Sequence, residues 1–150
     1  MMLKFRGFTL VELLITISII AILSAIGLIV YIDVLKQGRD SKRQSDLRSI
    51  QSALEQYNND QGFYPASSPN PLAFGSGNSL TSNTGNPNPS PSPKVYMNEV
   101  PADPAPSPHP QYQYAPSGTT YCLYAKLDNS AAVRPSACPN ATYTFAVTPP

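Results

Sequence analysis

An apolar run near the N-terminus constrains this chain of 150 residues more than any other feature. The run extends from Phe8 to Ile32, consists mostly of Leu, Ile, Val and Ala, and contains one charged residue, Glu12. About 20 apolar residues form a helix that is long enough to cross a bilayer. A cleaved secretory signal has a shorter apolar region of about 7–15 residues and a small-residue exit site, which Ser24-Ala25-Ile26 does not match. The run therefore predicts an uncleaved membrane anchor over residues 8–32.

The remainder of the chain is rich in proline and poor in charge. Charged residues make up 13% of the sequence, about half of the usual share of roughly 25%. All 17 prolines follow residue 60. The net charge of +1 gives no strong field that would attract a nucleic acid, so no specific nucleic-acid partner is predicted. The length allows one domain at most, and a self-sufficient soluble enzyme is not expected.

Glu12 is unexpected inside an apolar run. An acid in a membrane helix is costly and marks a functional position by default, although an acid near a helix end can also reach the lipid headgroups. The surrounding residues favour a function. The stretch Lys4-Phe5-Arg6-Gly7-Phe8-Thr9-Leu10-Val11-Glu12 closely resembles the leader junction of type IV pilins and type II secretion pseudopilins. The similarity lies in a basic leader that ends in glycine, a following phenylalanine, and an acid at the fifth position after the junction.

This resemblance implies a processing and assembly pathway. A prepilin peptidase would remove leader residues 1–7 by cutting between Gly7 and Phe8, and would N-methylate the new amine of Phe8. The mature subunit would leave the membrane with the help of a pilus or type II secretion assembly platform, and would polymerise with copies of itself into a helical filament. Glu12 would set the register by pairing with the methylated amine of a neighbouring subunit.

Residues 33–60 continue the helix as a polar segment, so that one helix is predicted over residues 8–60. An apolar stripe at spacings of three and four predicts the face that packs on the rest of the chain; its members are Leu47, Ile50, Leu54 and Tyr57. The intermixed acids and bases of this segment predict a solvated or subunit-facing surface. Asn58-Asn59-Asp60-Gln61-Gly62 ends the helix.

The C-terminal part divides into a loop and a sheet. Residues 61–93 are rich in Pro, Ser and Asn and predict an exposed loop, which could also accept O-linked sugars. In residues 94–150, alternating apolar positions predict short strands near Val95, and around Tyr114, Leu123 and Phe145. The expected fold class is α+β and type IV pilin-like: one long N-terminal helix, whose first half spans the membrane, packed by a small antiparallel β-sheet.

Cys122 and Cys138 are the only cysteines. An even count in an exported region with a small core suggests one disulfide, and two free buried thiols are the alternative. No metal and no cofactor is expected: His109 alone could supplement the cysteines, and the acidic loop that binds calcium in major pseudopilins is reduced to Asp128-Asn129. Catalysis has no support, because His109 lies between prolines and no phosphate-binding loop is present.

The predicted location follows from the resemblance. Five bases follow the apolar run within 16 residues and two precede it, so that a count of positive charges would place residues 33–150 in the cytoplasm. The resemblance implies the opposite, because the leader must meet a cytoplasmic peptidase. The chain is expected to be a single-pass precursor in the inner or cytoplasmic membrane and then part of an envelope or extracellular filament.

Two other hypotheses remain open at this point. The chain could be a minor pilin or a pseudopilin of DNA uptake, although Glu12 favours a subunit of the filament body. It could instead be a monomeric membrane-anchored binding module that uses its tyrosines, which could stack on sugars or bases, and its proline-rich loop. The resemblance covers both pili and secretion pseudopili.

Overall fold

The structure, a computed structural model, describes residues 7–66, 78–105, 110–129 and 135–150. Four predicted features lie partly or wholly outside the described residues: leader residues 1–6, loop residues 67–77, His109, and residues 130–134 between the cysteines. Within the described part of the chain, one α-helix and five β-strands form the regular structure. The chain divides into two compact units, Met1–Lys36 and Gln37–Pro150.

The helix, α1, spans Leu10–Gln61. It begins two residues later than the predicted start at residue 8, because Thr9 adopts the capping position outside the helix. It ends where the sequence predicts a stop: Gly62 has a φ of 80° and its N–H donates to the carbonyl oxygen of Asn58 at 2.8 Å. Glycine reaches this left-handed conformation without the steric cost that a side chain would bring.

The strands of the second unit form two antiparallel sheets. In the smaller sheet, β1 (Leu80–Thr81) pairs with β2 (Val95–Met97). In the larger sheet, β4 (Thr120–Ala125) lies between β3 (Gln113–Ser117) and β5 (Phe145–Val147). The predicted α+β class, with a long N-terminal helix and a small antiparallel sheet, is confirmed.

A two-residue turn joins β3 to β4. Ser117 pairs with Thr120, so that Gly118 and Thr119 form the connection, and Gly118 has a φ of 60°. Turns of this length match the twist of paired strands only when a residue adopts a positive φ, which glycine does at low cost. Of the turn-forming residues Pro116-Ser117-Gly118, only Gly118 lies in this connection, because Pro116 and Ser117 belong to β3.

The core of the second unit lies between the second half of α1 and the strands. The predicted helix stripe is confirmed, since Leu47, Ile50, Leu54 and Tyr57 are at most 1% exposed. They share one cluster of buried side chains with residues of the strands and of the connections between them; these include Leu80, Val100, Tyr112, Tyr114, Tyr121, Leu123 and Ala125. Alternate residues of β4 therefore face the helix, as the period of two predicts.

The other face of the larger sheet is also covered. Tyr124, Cys138 and Ala146 form a second buried cluster, against which the half-buried Tyr143 packs. The rings of Tyr124 and Tyr143 lie 5.5 Å apart between centroids. The prediction of half-buried strands is therefore incomplete, because the C-terminal loop covers part of the outer face.

The predicted loop over residues 61–93 also contains a strand. Leu80 is fully buried, β1 starts there, and Ser82 is 5% exposed. Ser82 donates its backbone N–H to the carbonyl oxygen of Lys94 at 2.8 Å. The prediction of a plain exposed loop is therefore wrong around Leu80, whereas residues 87–93 are exposed and lie outside regular structure.

Candidate processing and assembly site

A reciprocal cap organises the start of α1. The backbone N–H of Thr9 donates to Glu12 Oε2 at 2.9 Å, and the Thr9 hydroxyl donates to the same oxygen at 2.7 Å. In return, the Glu12 backbone N–H donates to Thr9 Oγ1 at 3.2 Å. A threonine followed three residues later by glutamate satisfies two donors that the first turn of a helix leaves unpaired.

This cap gives Glu12 a local role that the sequence analysis did not identify. The carboxylate lies in the first turn of α1, where the helix dipole favours a negative charge. Two donors from Thr9 reach one of its oxygens, which lowers the cost of placing the charge beside apolar side chains. The signal was available in the sequence as Thr9-Leu10-Val11-Glu12.

The bond between Gly7 and Phe8 lies in non-helical chain just before this cap. Phe8 is 80% exposed, and a Cβ added to Gly7 would meet no atom within 4 Å. The described structure therefore gives no internal reason for glycine at position 7, and the bond after it is accessible.

The first half of α1 exposes its apolar side chains on every face. The large apolar residues from Leu10 to Leu35 are 44–80% exposed. An 18-residue window of α1 has a mean hydropathy of 2.9 and none of it is buried, so the helix is long and apolar enough to cross a membrane. Apolar surface of this extent is normally covered by lipid or by another protein chain.

A cluster of ion pairs lies inside the second unit. The guanidinium of Arg43 is fully buried and holds the carboxylate of Asp103 through Nε at 2.8 Å and Nη2 at 3.0 Å. Its Nη1 lies 2.7 Å from Asp40 and 3.3 Å from Asp128. Arg39 also contacts Asp128, at 2.8 Å. The expectation that the charges of residues 33–60 form a solvated or subunit-facing surface is therefore wrong for Asp40 and Arg43.

The cluster links α1 to two loops that are distant in sequence. The Asp40 carboxylate accepts the backbone N–H groups of Asp128 at 2.8 Å and Asn129 at 2.9 Å. Asp103 accepts the N–H of Ala105 at 2.8 Å. Burial acts to lower the pKa of Arg43, but the hydrogen bond and the attraction from Asp103 outweigh it and raise that pKa. The cluster therefore holds these two loops against α1 and has a structural role.

The disulfide that the cysteine count suggested is present between Cys122 and Cys138, whose Cα atoms are 5.8 Å apart. Cys138 is 1% exposed and lies beside Tyr124 and Ala146. Asp128, the acid of the reduced calcium loop, forms ion pairs with Arg39 and Arg43. Among the described residues, no group of three or more His, Cys, Asp or Glu side chains is placed to hold a metal ion.

The tyrosines proposed for stacking on a ligand point into the core. Tyr112, Tyr114 and Tyr121 are at most 2% exposed. The hydroxyl of Tyr121 donates to Glu55 Oε1 at 3.0 Å, and the hydroxyl of Tyr64 donates to both oxygens of Glu55. Burial and this hydrogen bond raise the pKa of Tyr64 to about 12. These rings therefore stabilise the fold and are not available to a ligand.

An apolar cavity of about 480 Å³ lies near the end of α1. Its lining comes from the chain after α1, from the turn after β1, and from the β3–β4 turn; the residues are Phe63, Tyr64, Ala66, Gly85, Asn86, Pro87 and Gly118. Gly85 and Ala66, two of the lining residues, are closely packed against each other, since a Cβ on Gly85 would lie 2.9 Å from the backbone nitrogen of Ala66.

The N-terminal segment has a known counterpart. Residues 2–28 match the family described as the prokaryotic N-terminal methylation motif. No curated protein and no solved structure matches the chain. The apolar helix and the small antiparallel sheet are consistent with the type IV pilin fold, and the matched motif supports a pilin-like prepilin. The chain carries the prepilin signature of the type IV pilin and pseudopilin family, which is a family of structural proteins. This signature implies processing by a prepilin peptidase and a membrane-anchored precursor.

Proposed function

We propose that the chain is a structural subunit of a type IV pilus or of a type II secretion-like pseudopilus. In this proposal the peptide bond between Gly7 and Phe8 is cut, the amine of Phe8 is N-methylated, and the mature chain polymerises through the first half of α1. The observation that carries the proposal is the coincidence of the methylation motif with a helix whose apolar side chains, from Leu10 to Leu35, lack cover.

Burial of this surface supplies the driving force for assembly. Apolar surface that leaves water contributes about 25 cal/mol per Å². Within lipid this term is absent and only packing between helices remains, so extraction from the membrane needs an assembly platform. A filament core formed by the helices of neighbouring subunits would cover the side chains that the single chain leaves exposed.

Glu12 supplies the register in this proposal. Its carboxylate accepts two hydrogen bonds from Thr9 at one oxygen, and a charged amine of an incoming subunit can approach the same carboxylate. A shift of one helix along the other would leave both charges unpaired among apolar side chains, which is costly. Charge pairing therefore selects one register of neighbouring helices among many registers that bury similar apolar surface.

The second unit is suited to the outside of a filament. Its core is closed by α1, the sheets, the disulfide and the ion cluster around Arg43. The burial of Tyr112, Tyr114 and Tyr121 argues against the alternative of a monomeric binding module that stacks its tyrosines on a ligand. The alternative of a minor or DNA-uptake subunit differs from this proposal in the number of copies: a minor subunit would be present in only a few copies along the filament.

Filament isolation is the first test. We expect envelope or extracellular filaments that contain this chain as their major component, and N-terminal mass spectrometry that finds Phe8 with one added methyl group. A mature chain that begins at Met1 contradicts the processing step. A filament with only a few copies of the chain favours the minor-subunit alternative.

Substitution at the junction provides the matched test. Gly7→Glu should leave an uncut precursor in the membrane, whereas Gly38→Glu introduces the same side chain at another exposed glycine with open space around it and should be cut normally. Normal cleavage of Gly7→Glu contradicts the proposal.

Protease accessibility tests the proposed export of the second unit. Protease added to spheroplasts should digest residues 37–150, and full protection with both thiols reduced contradicts the proposed export.

A further inference from the structure

Asn140 lies in the sequence Asn140-Ala141-Thr142. An asparagine followed by any residue except proline and then by serine or threonine is the acceptor pattern for N-linked sugars. No other asparagine in the chain fulfils it; Asn88 has a serine two residues later, but Pro89 intervenes. The pattern therefore singles out one position, in the segment between Cys138 and β5.

The local geometry presents this asparagine in a turn. The backbone N–H of Thr142 donates to Asn140 Oδ1 at 3.1 Å, and the N–H of Tyr143 donates to the backbone carbonyl of Asn140 at 3.4 Å. A donor on the amide oxygen draws electron density from the amide nitrogen and makes its N–H more acidic. Ala141 and Thr142 are exposed and lie outside regular structure. The segment is therefore at the surface, as an acceptor of a bulky sugar must be.

The folded chain also restricts when the nitrogen can react. Asn140 Nδ2 donates to Gln113 Oε1 at 2.8 Å, and Asn140 is half-buried. A sugar on Nδ2 would displace this contact with β3. The amide is more accessible before β3 and this turn come together, which places the modification early after export of the second unit.

We infer that Asn140 is a site of N-linked glycosylation, which goes beyond the proposed filament role and depends on it only through export of residues 37–150. The donor class is an oligosaccharide carried on a polyprenyl diphosphate. Nδ2 of Asn140 forms a bond to the anomeric carbon of the first sugar, and the bond from that carbon to the diphosphate oxygen breaks. The electron pair leaves with the polyprenyl diphosphate, and one amide proton passes to a base of the transferring enzyme.

The test uses the mature chain purified from its native cells, in wild-type form and with three substitutions. Asn140→Gln removes the acceptor. Thr142→Val removes the hydroxyl at nearly constant volume, and Thr142→Ser is the matched control because it keeps the acceptor pattern. Both positions, Asn140 and Thr142, lie in or beside an exposed turn, and formation of the Cys122–Cys138 disulfide reports that each variant is exported and folded.

Intact-mass and peptide mass spectrometry should find a sugar mass on the peptide that contains Asn140. The sugar should be retained in Thr142→Ser and lost in the other two variants. An unmodified Asn140 in a wild-type chain whose disulfide is formed overturns this inference and leaves the proposed function intact. Sugars found only on serines of residues 87–93 overturn it equally. An unmodified Asn140 with both cysteines reduced overturns the inference together with the proposed export.

Discussion

Along α1, the large apolar side chains from Leu10 to Leu35 are 44–80% exposed, whereas Leu47, Ile50 and Leu54 are at most 1% exposed. The second stretch is covered by strands of the same chain. The first stretch is not buried by any described residue and carries two charged side chains, Asp33 and Glu12, of which Glu12 accepts a hydrogen bond from Thr9. Hydropathy alone would rank the first stretch as the better core. An apolar surface of α1 therefore either packs within the subunit or stays exposed for contact with lipid or with another protein chain.

Replacement of Glu12 should have the largest effect, and it should act on the first region alone. We expect Glu12→Leu to insert and to be cleaved normally, yet to build few or no filaments when it is the sole subunit, because the charge that fixes the register is absent. The second unit should keep its disulfide and its free energy of unfolding. Electron microscopy of sheared filaments measures the effect.

Glu12→Gln separates the charge from the cap. Glutamine retains a side-chain oxygen that can accept from the Thr9 N–H, so the capping box is kept while the charge is lost. We expect this variant to fail in assembly as Glu12→Leu does. Filaments of normal number and length from Glu12→Leu would mean that the acid only reaches the headgroups, and failure of Glu12→Leu alone would assign the effect to the cap.

Loss of Arg43 should have the largest effect in the second region. Arg43→Met leaves the fully buried carboxylate of Asp103 without its bidentate partner, and breaking a buried pair costs about 3–5 kcal/mol of unfolding free energy. Lys94→Met is the matched control, because its pair with Asp60 is exposed and should contribute little. Urea unfolding of the mature chain in detergent measures the difference, and cleavage after Gly7 should be unchanged in both variants.

A double variant tests whether an uncompensated charge is the cause. In Arg43→Met/Asp103→Leu both charges are replaced by apolar side chains of similar volume, which is often neutral for stability. We expect the double variant to be more stable than Arg43→Met alone. Equal destabilisation of the two variants would mean that the unpaired carboxylate of Asp103 does not account for the loss, which would then come from packing or from the contacts of Arg43 with Asp40 and Asp128.

The sequence predicts the features that depend on neighbours along the chain. The helix, the stripe from Leu47 to Tyr57 and the β3–β4 hairpin follow from periodicity and turn residues, which are local signals. The roles of Gly7, Phe8 and Glu12 are predicted because these residues match a known motif. No folding signal in the sequence predicts them. The capping box of Thr9 and Glu12 is an equally local signal, because the two residues are three positions apart.

The features that the sequence does not predict depend on contacts between distant residues. Arg43 meets Asp103 across 60 positions and Asp128 across 85, and a mixed run of acids and bases gives no sign of which charge becomes buried. Leu80 stands alone among polar residues, so β1 has no alternation that could reveal it. The cover over Tyr124 comes from the segment around Cys138 and follows from the disulfide, whose partners are 16 positions apart.

Removal of the disulfide should have an intermediate effect, again limited to the second region. A closed loop of this size lowers the entropy of the unfolded chain and contributes about 3 kcal/mol. We therefore expect Cys122→Ser/Cys138→Ser to unfold at a lower urea concentration, by roughly that free energy. Reductant should destabilise the wild-type chain to a similar extent and leave the variant unchanged. A wild-type chain that does not respond to reductant would contradict the role of the bond.

The smallest expected effect is the pH dependence that Asp128 gives to the second region. Burial acts to raise the pKa of the Asp128 carboxyl, but hydrogen bonds from Arg39 and Arg43 outweigh it and hold that pKa below its usual value. In the unfolded chain the pKa returns to about 3.9. The stabilisation by Asp128 is therefore present above about pH 4 and is lost as the pH falls through the lower folded value.

Asp128→Asn isolates this contribution, because asparagine keeps the shape of the side chain and does not titrate. At about pH 7 the variant should be less stable than the wild type, and the two should converge as the pH is lowered to about 3, since protonation removes from the wild type what the substitution has already removed. Urea midpoints at about pH 7, 5 and 3 measure the convergence. Insertion of the first half of α1 into detergent should not change over this range in the variant relative to the wild type, because Asp128 belongs to the other unit. Parallel pH profiles of the two proteins would mean that the contacts with Arg39 and Arg43 do not stabilise the charged form of Asp128, and the acid sensitivity of the second region would then have to come from other carboxylates.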